Sequence, residues 1–308
     1  MNIVSFGGGT NSTAMIIGMY LHKIPIDLIL FADTGAEQPH TYAFIETFNA
    51  WLEQHGLPKI QTVFYTDKDG NRLTLEEECR RSGTMPSIVY GFKKCSIKHK
   101  ITTQEKFCNH NEACKEIWAA GERVHKYIGY DAGETRRIQH AAPIDEADKK
   151  YEKHYPLYEW GWTRAECIRV IERAGLPRPG KSSCYFCPSM KKKEIEALWT
   201  DYPELFWRAV EIEQGAQAKS QTVSARQGIA LKTYEKVRSR IPLSPFRTFT
   251  EVEQPESEFI LRLDEDGRVG LIEADGGRWK LTAKASIAAY FEEALKEEIT
   301  GNRVVVMM

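Results

Sequence analysis

This sequence lacks the marks of several specialised protein classes. Its formal net charge is only −1, which excludes a nucleic-acid binder that is basic over its whole surface. It has no apolar run long enough to span a membrane, no signal peptide before its first apolar run, no internal repeat and no low-complexity segment. We therefore expect a cytoplasmic protein with no membrane partner.

Cysteine is present, but not in the pattern of a disulfide framework. The seven cysteines are an odd number scattered over 308 residues, and none follows Cys187. Such usage favours a reducing compartment and thiols that serve metal binding or catalysis. A chain of this length is expected to fold as one large domain with an accessory piece.

A glycine loop near the start of the chain belongs to neither of the two commonest phosphate motifs. The apolar run Asn2–Phe6 leads into Gly7, Gly8 and Gly9, and small polar residues then open a helical run. Glycine lets the backbone approach a ligand closely, and helix N-termini attract anions. This pattern predicts a strand, a phosphate-binding loop and a helix, with an ordinary glycine-rich turn as the alternative.

A formal Walker A match at Gly175–Ser182 is rejected. It follows a helix that begins at the Thr163 capping box, and two prolines interrupt it. A P-loop requires a strand, a loop and a helix in that order. We therefore predict that Lys181 does not hold a nucleotide phosphate.

Strand and helix patterns alternate through the first half of the chain. Helices are predicted to end near Lys23 and to span His40–His55. Strands are predicted at Asn2–Phe6, Asp27–Asp33, Gln61–Tyr65 and Arg123–Tyr130. The alternation predicts an α/β fold with a doubly wound, mostly parallel sheet that binds ligands at the carboxyl ends of its strands.

Three parts are predicted along the chain. Residues 1–190 form the nucleotide-binding domain, residues 191–250 a helical extension, and residues 251–308 a small α+β appendage. In the appendage we expect two strands around residues 264–267 and a helix near Ala283–Ile299.

The pair Cys184 and Cys187 is the sharpest local signal. A CxxC turn directs two thiolates at one ion or cluster, whereas a thioredoxin-like redox pair needs a βαβ context. Cys95 is the predicted third ligand and Cys167 a core residue. Other candidates for the remaining ligands are Cys79, Cys108, Cys114 and His99. A closed zinc site and an iron–sulfur cluster with one open iron both fit, and we favour the cluster.

The glycine loop resembles the pyrophosphate loop of the ATP pyrophosphatase superfamily, usually Ser-Gly-Gly-x-Asp-Ser. Gly8, Gly9 and Ser12 match, Gly7 replaces the first serine, and Asn11 replaces the aspartate. Three later segments resemble the phosphoadenosine phosphosulfate reductase-like family in the order of their motifs. They are Asp33-Thr34-Gly35, the stretch from Gly129 to Arg137 with Asp131 in place of a basic residue, and the CxxC pair with Pro188.

The resemblance covers roughly residues 1–200 and implies an adenine nucleotide alpha hydrolase-like fold. It implies ATP, Mg²⁺ and a [4Fe-4S] cluster as cofactors, with zinc as the alternative to the cluster. The residues implied to bind ATP and Mg²⁺ are Ser5, Gly7, Gly8, Gly9, Thr10, Ser12, Asp33 and Gly129. Those implied to act in catalysis are Asn11, Asp33, Arg136 and Arg137, and the metal ligands are Cys95, Cys184 and Cys187.

The reaction implied is ATP-dependent activation of a substrate for sulfur transfer to nucleic acid, as in tRNA thiolation or DNA phosphorothioation. Sulfonucleotide reduction is the alternative, but Cys95 has no neighbouring cysteine and the chain has no cysteine near its C-terminus. A non-catalytic nucleotide-binding module with structural zinc is another. Partners would be nucleic acid and a sulfur donor such as a cysteine desulfurase. Lysines near the cysteines would supply a local basic patch: Lys93, Lys94, Lys98, Lys100, Lys181, Lys191, Lys192 and Lys193.

Overall fold

The computed structural model describes residues 1–86, 93–227, 259–263, 268–273 and 278–284. Side chains are described for these residues except Lys192, 217–227 and the last three ranges. The chain divides into two compact units, each built from two segments. The first unit comprises Met1–Leu73 and Ser96–Cys184, and the second comprises Thr74–Cys95 and Tyr185–Met308. The predicted three-part division stays a prediction.

A five-stranded parallel sheet organises the first unit. Its strand order is β3-β2-β1-β4-β5. The strands are β1 (Asn2–Phe6), β2 (Leu28–Asp33), β3 (Ile60–Phe64), β4 (Val124–Ile128) and β5 (Tyr151–His154). The predicted α/β class and parallel sheet are therefore confirmed.

Helices cover both faces of this sheet. They are α1 (Thr10–Leu21), α2 (Pro39–Gln54), α4 (Thr102–His110), α5 (Glu112–Ala119), α6 (Thr135–Glu146), α7 (Pro156–Glu159) and α8 (Arg164–Arg173). The helix α3 (Leu75–Ser82) belongs to the second unit. A π-helical turn, Ser96–Ile101, leads into α4, and a 3-10 turn, Ala132–Glu134, leads into α6. Among the described helices, none has the length and low polarity needed to cross a bilayer.

Each face of the sheet has its own core, because alternate side chains of a strand point in opposite directions. On one face, Phe6 and Phe31 pack with the apolar sides of α1, α2 and α8. On the other, Ile3 and Leu30 pack with residues of α4 and α5. β1 and β2 thus carry apolar residues on both of their faces, as is typical of a parallel sheet covered on both sides.

The predicted strands and helices of the first unit are confirmed to within a few residues. Thr163 caps α8 as predicted, by accepting a hydrogen bond from the Glu166 N–H. Residues 176–183 form neither a strand nor a helix, so the Walker A match at Gly175–Ser182 lacks its required context. β5 was not predicted from the sequence, because it has only four residues, Tyr-Glu-Lys-His, and most of them are polar.

The second unit contains three helices and a small antiparallel sheet among its described residues. The helices are α3 (Leu75–Ser82), α9 (Lys192–Asp201) and α10 (Pro203–Gln227). The strands are β6 (Phe259–Leu263), β7 (Arg268–Glu273) and β8 (Arg278–Lys284), in the order β6-β7-β8. The two strands predicted around residues 264–267 are thus β6 and β7, and β8 was missed.

Part of the predicted appendage needs correction. The helix predicted near Ala283–Ile299 cannot begin where it was placed, because Ala283 and Lys284 end β8. The antiparallel pairing of β8 with β7 extends the backbone there. The rest of that prediction lies outside the described residues.

Candidate functional site

The glycine loop lies at the centre of the sheet, where the strand order reverses. β1 has β2 on one side and β4 on the other, and it runs through Gly7–Gly9 directly into α1. In open parallel sheets, ligands bind outside the carboxyl ends of the strands at such a reversal. The loops that follow β1, β2 and β4 lie at this edge and form the candidate site.

Gly8 is the glycine that the loop conformation requires. Its φ is +73°, and a Cβ there would lie 2.8 Å from Cγ2 of Thr41. Gly9 is the N-cap of α1 and makes no side-chain capping hydrogen bond. The first N–H groups of α1 therefore donate no hydrogen bond to a side chain of the N-cap residue. Together with the helix dipole, these N–H groups favour an anion at the N-terminus of α1.

Two hydroxyls predicted to bind the nucleotide brace the scaffold. Ser12 Oγ accepts a hydrogen bond from the Gly7 N–H at 3.1 Å and donates one to the Gly9 carbonyl at 3.2 Å. Ser5 Oγ donates to Gln104 Oε1 at 2.8 Å. Both hydroxyls therefore hold the loop and its strand in place, and their contact with a nucleotide stays a prediction.

Three buried hydroxyls around the loop make no hydrogen bond within the part of the chain that the structure describes. They are Thr10 Oγ1, Thr41 Oγ1 and Ser183 Oγ. Thr10 follows the last glycine, Thr41 faces Gly8, and Ser183 adjoins Ser182, whose Cβ would lie 3.6 Å from a Cβ on Gly9. A buried hydroxyl without a partner costs roughly 1–3 kcal/mol, and phosphate oxygens are strong acceptors for such donors.

The carboxylate of Asp33, at the end of β2, is buried and oriented. Its Oδ1 accepts hydrogen bonds from the Gly35 N–H at 2.7 Å and from Tyr42 Oη at 2.8 Å. Burial, and then the Asp33 carboxylate, raise the pKa of Tyr42 well above its usual range, so Tyr42 remains a donor. Oδ2 has one longer contact, 3.4 Å to the guanidinium of Arg72. This oxygen can therefore take a further ligand such as Mg²⁺.

Asn11 is tied into a polar network. Its Nδ2 donates to Asp131 Oδ2 at 2.9 Å and to Glu134 Oε2 at 3.2 Å, and its Oδ1 accepts from Arg164 at 2.9 Å. Both amide hydrogens and the carbonyl of Asn11 are thus used. The geometry makes Asn11 a positioning residue that joins α1 to the loop after β4, and its predicted role in placing Mg²⁺ stays a prediction.

The two arginines of the loop after β4 differ in their surroundings. Arg137 donates to Glu134 Oε1 at 2.5 Å, and its guanidinium lies 4.1 Å from the centre of the Tyr130 ring. Arg136 is exposed and has neither an ion pair nor a hydrogen bond among the described residues. Arg136 is therefore the arginine that is free to meet an incoming anion.

Gly129, at the start of the same loop, packs against the first turn of α1. A Cβ there would lie 3.1 Å from backbone atoms of Asn11 and Ser12. Because backbone atoms cannot move aside independently, this close approach requires glycine. Gly129 therefore fixes the distance between the β4 loop and the glycine loop.

A buried glutamate links the loop after β2 to the segment that carries the first CxxC cysteine. The Glu37 side chain has no exposed surface and accepts hydrogen bonds from Lys100 Nζ at 2.7 Å and from Ser182 Oγ at 3.2 Å. The backbone of Glu37 forms an antiparallel bridge with Cys184. Cys184 Sγ lies 3.4 Å from Thr34 Oγ1. The network thus holds Cys184 beside the loop after β2, and Ser182 beside Gly9.

The lysines of the predicted basic patch do not share one environment. The ammonium of Lys100 pairs with Glu37, and that of Lys98 lies 4.7 Å from the centre of the Tyr65 ring. The lysines with exposed side chains are Lys93, Lys94, Lys181, Lys191 and Lys193. The predicted contact with nucleic acid stays a prediction.

The seven cysteines all lie within the described residues, form no disulfide and fall into two groups by exposure. The predicted ligands Cys95, Cys184 and Cys187 are partly exposed. Cys184 ends the first unit, whereas Cys95 and Cys187 belong to the second. Their joint ligation of one cluster or ion stays a prediction.

The other four cysteines are buried: Cys79, Cys108, Cys114 and Cys167. Cys167 belongs to the core of α1 and α8, as predicted. Burial raises the pKa of Cys114 and of Cys167 to about 12 and also raises that of Cys108. Because metals bind the thiolate, burial makes Cys108 and Cys114 poor substitutes for Cys95. His99, the candidate fourth ligand, is buried against the Tyr65 ring.

The sequence does not predict the contacts that Glu37, Glu134 and Arg164 make at the candidate site. Glu37 is not assigned a role from the sequence, because its pairing with Lys100 joins residues 63 positions apart. Asp131 and Glu134 form a capping box around the 3-10 turn, and their spacing of three residues was the available signal.

Comparison with known proteins finds a likeness among solved structures. The sequence matches no known protein-family model and no curated protein. Among solved structures, the chain is similar to the U34-tRNA thiolase NcsA from Methanococcus maripaludis with its [4Fe-4S] cluster. The identity is 14%, the TM-score is 0.38, and the match covers 70% of this chain and 71% of that one. At this level of similarity, function is inferred from the residues of the site alone.

Proposed function

We propose that the protein is an ATP pyrophosphatase that adenylates nucleic acid and so prepares it for sulfur transfer. The observation that carries the proposal is the glycine loop Gly7–Gly9 at the reversal of strand order, surrounded by the buried hydroxyls of Thr10, Thr41 and Ser183. A triphosphate would satisfy these hydroxyls and the N-terminus of α1 together. The motif resemblance supports the same assignment.

Each group at the site has a task in this reaction. The α-phosphorus of ATP is attacked by an oxygen of the acceptor, the bond to the bridging oxygen breaks, and pyrophosphate leaves with its electron pair. Asp33 Oδ2 would ligate Mg²⁺, which neutralises the phosphate oxygens. Arg136 would stabilise the charge that develops on pyrophosphate. Sulfur then replaces AMP on the acceptor, and the activated oxygen leaves with AMP.

The position of Cys184 supports the sulfur-transfer half of the proposal. Its thiol lies beside Thr34, in the network that also places Ser182 next to Gly9. A cluster ligand in this position would place a cluster-bound sulfur close to the site where the acceptor is adenylated. The predicted donor set of Cys95, Cys184 and Cys187 consists of the partly exposed cysteines, which suits a [4Fe-4S] cluster with one iron open to an additional sulfur ligand.

ATP turnover tests the first half of the proposal. The full chain is incubated with ATP and Mg²⁺, with and without tRNA or DNA, and AMP and pyrophosphate are measured. We expect both products to form in a one-to-one ratio and to require a nucleic acid. Arg136→Ala should lower kcat by about 100-fold or more with little change in ATP affinity, because the arginine acts on the leaving group. Arg173→Ala, which removes another exposed arginine, is the matched control and should leave kcat unchanged.

Iron and acid-labile sulfide, measured after anaerobic purification, test the second half. Serine variants of Cys95, Cys184 and Cys187 should each lose iron and sulfide, whereas Cys167→Ser should retain them. Zinc without sulfide in the parent would remove the cluster from the proposal. Release of sulfite from a sulfonucleotide, with no AMP and pyrophosphate formed from ATP, would identify a reductase. No turnover together with tight ATP binding would identify a nucleotide-binding module.

A further inference from the structure

Three side chains with metal-ligand chemistry converge on one face of the β4–β5 pair. In the parallel register His125 pairs with Glu152, and His154 lies two residues beyond Glu152 on the same face. His125 Nδ1 and His154 Nε2 are 2.9 Å apart, and His154 Nε2 is 3.8 Å from Glu152 Oε1. One ligand atom from each residue lies within 4.8 Å of the other two.

The separations fit a tetrahedral metal ion. With bonds of roughly 2.0–2.1 Å, two ligand atoms on a tetrahedral Zn²⁺ are roughly 3.3 Å apart. The observed 2.9 Å and 3.8 Å lie on either side of that value, and His125 and Glu152 offer ligand atoms within 4.8 Å of each other. Side-chain shifts of roughly 0.5–1.5 Å would therefore bring the three atoms to tetrahedral spacing. A hydrogen bond between the two imidazoles would explain only the shorter distance, 2.9 Å. It does not explain why the Glu152 carboxylate also faces His154.

Neighbouring side chains hold the ligands in their orientations. The His154 ring stacks on Tyr127, with ring centres 4.8 Å apart and planes 22° apart. Arg123 binds the other carboxylate oxygen, Glu152 Oε2, at 3.0 Å, which leaves Oε1 towards His154. Such outer contacts fix ligand orientation at metal sites. Since two adjacent strands carry all three ligands, the scaffold is also rigid.

We propose that His125, Glu152 and His154 bind one divalent transition-metal ion of the zinc class. The nitrogen and carboxylate donors suit Zn²⁺, Ni²⁺ or Cu²⁺, and solvent can supply a fourth ligand, because 26% of the His154 side chain is exposed. The site is separate from the nucleotide loop. His125 pairs with Asn2 at the start of β1, whereas the glycine loop follows Phe6 at its end, about 13–17 Å along the strand. The ion therefore acts on the β4–β5 edge and not on the phosphates.

Metal titration of the full chain tests this proposal. Anaerobic protein is titrated with Co²⁺, and visible absorption is recorded, because cobalt on nitrogen and oxygen ligands lacks the intense charge-transfer band of thiolate ligands. Zn²⁺ is then added in competition. We expect one cobalt ion per chain without a thiolate band, in addition to any thiolate-bound ion, and displacement by Zn²⁺.

Two variants and a control assign the ion to these residues. His154→Gln and Glu152→Gln should each weaken the thiolate-free cobalt signal by about 100-fold or more, since loss of an outer contact alone costs 10–100-fold in affinity. Because 42% of the Glu152 side chain is exposed, Glu152→Gln is expected to fold even if His154→Gln does not. His140→Gln, which removes an exposed histidine of α6, should leave the signal unchanged. Absence of the signal in the parent, or its full retention in Glu152→Gln, would overturn the proposal.

Discussion

Replacement of Gly8 by alanine separates the conformational demand of the glycine loop from its steric demand. An alanine at φ +73° is strained by about 1–2 kcal/mol. Its Cβ would also lie 2.8 Å from Cγ2 of Thr41, well inside the usual contact distance of about 3.5–4.0 Å. Relief of such overpacking costs about 1–3 kcal/mol. Gly8→Ala should therefore lower the free energy of unfolding by about 2–5 kcal/mol.

Gly56→Ala is the matched control, because Gly56 has a φ of +66° and a Cβ there would meet nothing within 4 Å. It should lose only the conformational part, about 1–2 kcal/mol. Urea unfolding measures both losses. Calorimetry with ATP and Mg²⁺ should show at least about tenfold weaker binding for Gly8→Ala, equivalent to about 1.4 kcal/mol, and no change for Gly56→Ala. In Gly8→Ala the loop backbone must shift away from Thr41, and the N–H groups that would face the phosphates in the proposed complex shift with it.

Equal losses of stability in the two variants would show that the contact with Thr41 carries no energy. Unchanged ATP affinity in a folded Gly8→Ala protein would refute the assignment of the loop as the phosphate site. A loss of affinity in the Gly56→Ala control would attribute the effect to general destabilisation.

Three further predictions concern the surroundings of the loop. Lys181→Ala should leave ATP affinity within a few-fold, measured by calorimetry, and loss of binding as complete as in a loop variant would contradict the rejection of the Walker A match. Glu37→Gln should lower the free energy of unfolding by about 1–3 kcal/mol in a urea titration, since it removes the buried partner of Lys100, whose side chain is 32% exposed. Cys184→Ser should lose iron under anaerobic purification while Cys167→Ser keeps it, and the reverse result would move the metal ligand.

The parts of the fold that local patterns determine could be predicted from the sequence. Asn2–Phe6 and Leu28–Asp33 are mostly apolar runs, and Thr163 precedes a helix with Glu166 three residues later, the spacing of a capping box. β5 could not be found in this way, because an edge strand of four residues with a mixed pattern has no distinct period. α3 was not predicted either, because charged residues dominate its sequence Leu-Glu-Glu-Glu-Cys-Arg-Arg-Ser and leave little apolar periodicity.

The candidate site divides in the same manner. The glycine loop was predictable, because glycine at this position between a strand and a helix has few structural uses. The environment of Glu37 was not, since its partners Lys100 and Ser182 are 63 and 145 positions away. Sequence spacing alone also does not show that the Asn11 amide donates a hydrogen bond to Asp131, which is 120 positions later in the chain. Such contacts follow from the topology, which a motif does not encode.

The division of each unit into two chain segments has a consequence for synthesis on the ribosome. In the second unit, Glu76 accepts hydrogen bonds from Arg80 in its own helix and from Arg208, which is 132 positions further along the chain. At a translation rate of about 5–20 residues per second, Arg208 is synthesised roughly 7–26 s after Glu76. During this interval Thr74–Cys95 is a nascent segment without the rest of its unit, and it is open to chaperones and proteases. Substitutions at Glu76 or Arg208 should therefore lower the yield of protein in cells before they alter any property of the molecules that do fold.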